Sequence, residues 1–165
     1  MAWALLGFAL ADEVDRVLFV VGDRIVTQSD VAFDHFFDSR DQSPIATFEG
    51  READRQDLLV EMAIVRQLAG DIAVYRPTNA EVRGRADRFL ATFAGPEEGL
   101  RVLADWGLDE TAFLGFIYSR LVVERYVARD VAAGVVDGNS AEWAAAYATW
   151  VAAQRGRANV RAVSP

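Results

Sequence analysis

The chain has 165 residues, of which 52% are hydrophobic and 25% are charged, and its formal net charge at pH 7 is −8. This length is typical of one domain with a sizeable core, and the apolar content excludes a disordered chain. The acidic balance excludes a general nucleic-acid binder, which needs a basic surface. Cysteine and lysine are absent and His35 is the only histidine, so disulfides, lysine chemistry and multi-histidine metal sites are excluded.

The first segment, MAWALLGFALA, is uncharged and apolar. It is too short to span a bilayer. It ends in a small-x-small pattern that is followed at once by Asp12 and Glu13, which is typical of the hydrophobic region and cleavage site of a secretory signal. We therefore predict that residues 1–11 are the remnant of an export signal whose basic start lies upstream. The alternative is an apolar helical turn that packs on the core.

A β-hairpin is predicted directly after this segment. Val17–Val21 is rich in β-branched and aromatic residues and is apolar on both faces, which indicates a buried strand. Gly22 and Asp23 form a two-residue turn signal. Ile25–Val26 returns as the second strand, and Thr27 then caps the first helix.

Six helices are predicted after the hairpin. The first runs to about Asp38, and the clearest runs from Arg51 to Tyr75. A capping box at Thr78–Glu81 opens the third, which Gly95 and Pro96 end. The others are a short helix ending at Trp106, one from Glu110 to about Ala132, and one from Ser140 to Arg155. The helix from Arg51 carries one apolar stripe, made of Leu58, Met62, Val65, Ala69 and Ile72.

The last predicted element is a strand. Asn159–Val163 alternates polar and apolar residues, which is typical of a half-buried strand. A two-stranded hairpin alone is marginally stable in water, so this strand is the expected partner of the N-terminal hairpin. The predicted fold class is mostly α (α+β), with about six helices and a small sheet that joins the two ends of the chain.

The ingredients of catalysis are thin. His35 lies on a predicted helix without a motif around it, so we interpret it as a surface or partly packed histidine. No G-x-S-x-G turn and no glycine-rich phosphate loop occurs in the sequence. We expect no catalytic residue, no metal ligand and no cofactor.

Aromatic residues are the remaining feature of the sequence. Most residues of such helical stripes belong to the core. The alternative is that some line an open groove for apolar peptide segments, because aromatic side chains bury a large area with few torsions to restrict. The candidate client-binding residues are Phe89, Phe93, Trp106, Phe113 and Phe116.

The two chain ends together resemble the SurA family of periplasmic chaperones. VVGDRIVTQSDV, residues 20–31, is similar to that family's opening hairpin and helix start, and WVAAQRGRANVR, residues 150–161, is similar to its closing helix and strand. The middle also fits, with the long helix over Leu58–Ile72, the capping box at Thr78–Glu81 and the pair Gly107–Leu108. The resemblance covers residues 12–165 as a single chaperone domain.

The resemblance implies an extracytoplasmic, periplasmic holdase. Its partners would be unfolded outer-membrane proteins or hydrophobic peptides, with no nucleic acid and no stable membrane insertion. Full-length relatives carry parvulin-type prolyl isomerase domains where this chain has a loop at residues 132–140, which is too short for such a domain. We therefore expect a chaperone core without enzymatic activity. The alternatives are a module that binds one folded partner and, with less support, a prolyl isomerase.

Overall fold

The computed structural model describes residues 15–41, 55–131 and 140–163. For residues 140–144 it describes the backbone alone. In these ranges the fold is mostly helical with one small antiparallel sheet, as predicted. The segments 1–11, 51–54 and 132–139, for which the sequence predicted a signal remnant, a helix start and a loop, lie outside the described residues. The elements are β1 Val17–Val21, β2 Arg24–Thr27, α1 Gln28–Asp38, α2 Arg55–Ala69, α3 Asn79–Leu90, α4 Pro96–Asp105, α5 Glu110–Tyr126, α6 Ser140–Arg155 and β3 Val160–Ala162.

The sheet joins the two ends of the chain. Its strand order is β2-β1-β3, and both pairings are antiparallel. Val20 of β1 lies opposite Ile25 on one side and Arg161 on the other. Gly22 turns the hairpin with a φ of 61°, in the left-handed region that glycine adopts most readily. The predicted pairing between the hairpin and the C-terminal strand is confirmed.

Side-chain caps fix the starts of three helices. The Thr27 hydroxyl accepts from the Asp30 amide while the Asp30 carboxylate accepts from the Thr27 amide, and Thr78 with Glu81 repeats this capping box at α3. Asp109 caps α5 by accepting from the amide of Ala112 at 2.7 Å. Each cap satisfies amides that the first helical turn leaves without a partner.

The end of α2 differs from the prediction. The sequence predicted one continuous helix to Tyr75, which is wrong: α2 ends at Ala69, and a separate 3₁₀ turn covers Ala73–Tyr75. Gly70 follows the helix with a φ of 50°, a left-handed conformation that ends a helix. Ile72 therefore leaves the predicted apolar stripe and is 53% exposed.

Two apolar clusters form most of the core. The larger joins α1, α3, α4 and α5, and in it the rings of Phe37 and Phe89 stack with their centroids 4.7 Å apart. The second joins α2, α5 and α6 around Val65, Tyr147 and Val151. The sheet packs on α2 through Val21 and Ile64. Helix α5 thus contributes to both clusters, and its Ser119 accepts a hydrogen bond from Arg24 of the hairpin.

Among the described helices, none combines the length and the apolar character that crossing a bilayer requires.

Candidate functional site

The structure separates the five aromatic residues that the sequence singled out. Phe89 and Phe113 are each 1% exposed, and their ring centroids lie 5.3 Å apart inside the larger core cluster. This corrects the prediction for these two residues, because a buried ring cannot contact a bound segment. Phe93, Trp106 and Phe116 are half-buried at the edge of the same cluster.

Trp106 and Phe116 line a groove between the hairpin and the helices α1, α2 and α5. The groove has a volume of about 320 Å³, which lies in the range of small-ligand and peptide side-chain pockets. Phe93 does not line it; its ring lies under the guanidinium of Arg40, 4.5 Å from the centroid. The lining residues are Arg24, Val26, Ser29, Asp30, Phe33, Asp34, Leu59, Met62, Trp106, Leu108, Ala112, Gly115, Phe116, Ser119 and Arg120.

Aromatic rings form one wall of the groove. Phe33 of α1 meets Trp106 edge to face with centroids 5.7 Å apart, and it meets Phe116 in the same way at 5.0 Å. Edge-to-face contacts of this kind are the arrangement that aromatic pairs prefer. The side chains of Leu59 and Met62 on α2 form an apolar wall as well, and both are half-buried.

Helix α5 provides a third wall with small side chains. Ala112, Gly115, Phe116 and Ser119 are spaced by three, one and three residues, which places them on one face of the helix. Apart from its chain neighbours and the backbone of its own helix, no atom of the described residues lies within 4 Å of a Cβ atom placed on Gly115. The space above Gly115 is therefore open, and the aromatic ring of Phe116 stands beside it.

The rim of the groove carries both hydrogen-bond donors and acceptors. Arg24 of β2 donates from Nη1 to the hydroxyl of Ser119 on α5 at 3.2 Å, and it makes no ion pair within the described residues. Asp30 uses one carboxylate oxygen, Oδ2, to cap α1. Arg24 therefore offers donor hydrogens, and Oδ1 of Asp30 offers an acceptor, on the walls of the same groove.

Buried charges form the floor. Asp34 and Arg120 are 2% and 3% exposed, and Arg120 donates to the carboxylates of both Asp34 and Asp38. Arg55 of α2 approaches Asp34 at 3.5 Å and also pairs with Asp38. Burial raises the pKa of Asp34, and the positive charge of Arg120 opposes that effect. This network ties α1, α2 and α5 together beneath the aromatic wall.

A second buried arginine joins α3 to α5. Arg85 donates from Nη1 to both carboxylate oxygens of Glu124 at 2.9 Å, and from Nη2 to Asp41. Burial raises the pKa of Glu124, and Arg85 opposes that rise. Sequence reasoning missed both arginines, although the helical period contained a signal. Arg85 lies three residues after buried Val82, and Arg120 three residues after buried Ile117, at core-facing positions.

The groove offers apolar contact and hydrogen bonding. His35 is exposed on α1 and does not line the groove. Within residues 15–41, 55–131 and 140–163, no group of three or more histidine, cysteine or carboxylate side chains is placed to hold a metal ion. No protein-family model matches the chain, and no curated protein matches it significantly.

Proposed function

We propose that the protein is an extracytoplasmic holdase chaperone that holds unfolded, aromatic-rich segments of outer-membrane protein precursors in this groove. The observation that carries the proposal is an open, aromatic-walled groove on an otherwise acidic chain. The likeness of both chain ends to the SurA family supports the same reading. Binding would be reversible and independent of nucleotide, cofactor and enzymatic turnover.

The walls of the groove suit an apolar side chain. Met62, Trp106 and Phe116 keep part of their surface in contact with solvent. An inserted apolar side chain would remove that surface from water, which contributes roughly 25 cal/mol per Å² of apolar area. Because the groove is open at its rim, the chain on either side of the inserted residue can continue outward. A segment of an unfolded protein meets both conditions.

The rim favours a peptide over an acyl chain. The guanidinium of Arg24 can donate to a peptide carbonyl, and the carboxylate of Asp30 can accept from a peptide amide. An acyl chain offers neither partner along its length. The net charge of −8 keeps the free protein soluble and limits its attraction to anionic lipid surfaces.

A second candidate is a module that binds one folded partner. The outer face of the sheet supports it, because Ile25 of β2 is 54% exposed and Val163, just after β3, is 41% exposed. Both residues flank Leu18 and Val20 of the central strand on that face. Arg161 lies opposite Val20 on the same face, so this flat face combines apolar side chains with one cation, and it would suit a folded surface better than an extended segment.

The first test is suppression of aggregation. A urea-unfolded porin is diluted into buffer containing the chain from Asp12 onward, and light scattering is followed against an inert acidic protein of similar size. Suppression at near-stoichiometric ratios supports the holdase. If scattering is unchanged over a wide range of ratios, the general chaperone function is excluded and the single-partner module becomes the better account.

A further inference from the structure

We infer that Gly115 is the specificity-determining position of the groove, because its missing side chain leaves the space in which a planar aromatic ring of the bound segment lies against α5. The inference rests on the proposed function and identifies the part of the segment that the groove selects. Gly115 lies inside α5, five residues after its start at Glu110, and it lines the groove directly.

The fold itself does not require a glycine at this position. A glycine inside a helix is less stable than alanine because it loses more backbone freedom on folding. A glycine is required where the backbone is left-handed, but Gly115 is not among the glycines with a positive φ. A glycine is also required where a packed neighbour would clash with a Cβ atom, but within the described part of the chain no packed neighbour lies within 4 Å of that position. Gly84 on α3 meets neither condition either, and the feature that distinguishes Gly115 from it is its position on the wall of the groove.

The shape of that space suits a ring. Phe116 is the next residue along α5, and Phe33 already meets it and Trp106 edge to face. A planar ring can approach a bare helix backbone closely on its flat side while its edge meets such neighbours. A branched aliphatic side chain is thicker in that direction and fills the space less well. We therefore expect the groove to prefer phenylalanine over leucine at the inserted position.

The matched control is Gly84, a second helical glycine. It lies on α3, outside the groove, with ordinary contact between its Cβ position and Nη1 of Arg88 at 3.8 Å. Alanine at either position is expected to raise the melting temperature by about 2–4 °C. Only the alanine on α5 would also enter the space for the ring. The alanine at Gly115 should therefore raise stability and lower peptide affinity, whereas the alanine at Gly84 should raise stability and leave peptide affinity unchanged.

The experiment measures both quantities on the full chain. Fluorescence anisotropy gives Kd for labelled twelve-residue peptides of serine and glycine that carry phenylalanine, cyclohexylalanine or leucine at one central position. We expect the natural chain to prefer phenylalanine over both others. Gly115→Ala should melt higher and bind the phenylalanine peptide more weakly, and Gly115→Leu should weaken it at least about tenfold. Gly84→Ala should melt higher and bind as the natural chain does.

The remaining outcomes distinguish failure of this inference from failure of the proposed function. If the natural chain binds the peptides and the Gly115 variants bind them equally well, the inference is overturned while the proposed function stands. If the natural chain binds none of them and also fails to hold the unfolded porin, the proposed function fails. If dodecanoate displaces the phenylalanine peptide and its own affinity is the same in Gly115→Leu, an acyl chain is the occupant and the inference is overturned.

Discussion

Arg120 combines three contacts in one residue. Its guanidinium donates to Asp34 and Asp38 of α1, and it lies over the ring of Phe37 at 4.9 Å from the centroid. Arg55 of α2 completes the charge balance around the two carboxylates. A buried ion pair of this kind stabilises a fold less than its geometry suggests, because both charges lose hydration. Removing one member alone is costly, because the other charge stays buried without compensation.

The first prediction concerns this pair. Arg120→Met should lower the free energy of unfolding by about 3–5 kcal/mol at neutral pH, because Asp34 is then buried without its main cation. Without that cation the pKa of Asp34 rises further above its ordinary value of 3.8. Between these two values the folded variant keeps the Asp34 carboxyl protonated, whereas the unfolded chain has released the proton. The variant therefore recovers stability as the pH falls toward the acid range.

Thermal unfolding at pH 7.5 and pH 4.5 checks this sign. The control is Arg101→Met, which removes an exposed arginine from α4 and should leave unfolding nearly unchanged. The double variant Asp34→Leu, Arg120→Met should regain much of the loss, since neither charge is then left alone. A gap between variant and natural chain that widens on acidification would contradict the argument.

Aromatic residues separate into two roles that helical spacing alone does not distinguish. Phe113 and Phe116 lie one turn apart on α5, yet the first is buried and the second borders the groove. Spacing predicts that both face inward; which one the neighbouring helices cover depends on packing between distant segments. Burial therefore excludes two of the five candidate client-binding residues, Phe89 and Phe113, and the client-binding role of the other three stays a prediction.

The second prediction follows from that separation. Phe113→Ala should lower the free energy of unfolding by about 3–5 kcal/mol, because it leaves a cavity in the larger core cluster. Trp106→Ala should cost less stability and should weaken peptide binding, because this side chain is half-buried at the groove. Chemical denaturation and anisotropy measure the two effects separately. Equal losses of stability with unchanged binding would contradict the assignment of Trp106 to the groove.

At the scale of elements, the central strand β1 depends on β3 from the far end of the chain. Gly22 donates its amide to the carbonyl of Asn159 at 3.1 Å, and Val163 donates to Leu18 at 2.9 Å. Because hydrogen-bonded pairs alternate along an antiparallel ladder, the amide of Arg161 faces β1 and that of Ala162 faces away.

The third prediction uses this alternation. Arg161→Pro removes a ladder hydrogen bond and should lower the free energy of unfolding by about 1–3 kcal/mol. Ala162→Pro removes an amide that faces away from the ladder at the sheet edge, where proline is tolerated, and should cost clearly less. Urea denaturation of the two variants compares them directly. Equal losses, or a larger loss at Ala162, would contradict the register.

Local signals explain why most elements were predictable. The hairpin turn at Gly22, the capping boxes at Thr27 and Thr78, and Asp109 before α5 act through residues next to them in sequence. Two helix ends were predicted wrongly. Helix α3 ends at Leu90, before the predicted break at Gly95 and Pro96, and α2 ends at Ala69, where Gly70 was a local signal. Apolar residues continue beyond Gly70 to Tyr75, and the periodic pattern outweighed the glycine in the prediction. Periodicity reports which face is apolar, whereas the end of a helix depends on capping at single residues.

At the scale of the whole molecule, the groove was the least predictable feature. Its walls come from the hairpin, α1, α2 and α5, so residues as far apart as Arg24 and Ser119 meet at its rim. A local sequence pattern cannot indicate that two residues so far apart in the chain lie side by side. The same holds for the charges at its floor, where Asp34 and Arg120 come from opposite halves of the chain. The sequence predicted aromatic-rich helices as candidates for a binding surface, and three-dimensional packing determines which of their residues border the groove.

The most direct measurement is site-specific photo-cross-linking to an unfolded porin. The photoreactive residue p-benzoylphenylalanine is placed at Ala112, an exposed position that lines the groove, or at Asp87, an exposed position on α3 outside it. If the groove holds the client, the porin is captured at Ala112, capture falls when an excess of the phenylalanine peptide is added, and the Asp87 variant captures little. Equal capture at both positions, or none at Ala112, would contradict the central claim that this groove is the client-binding site.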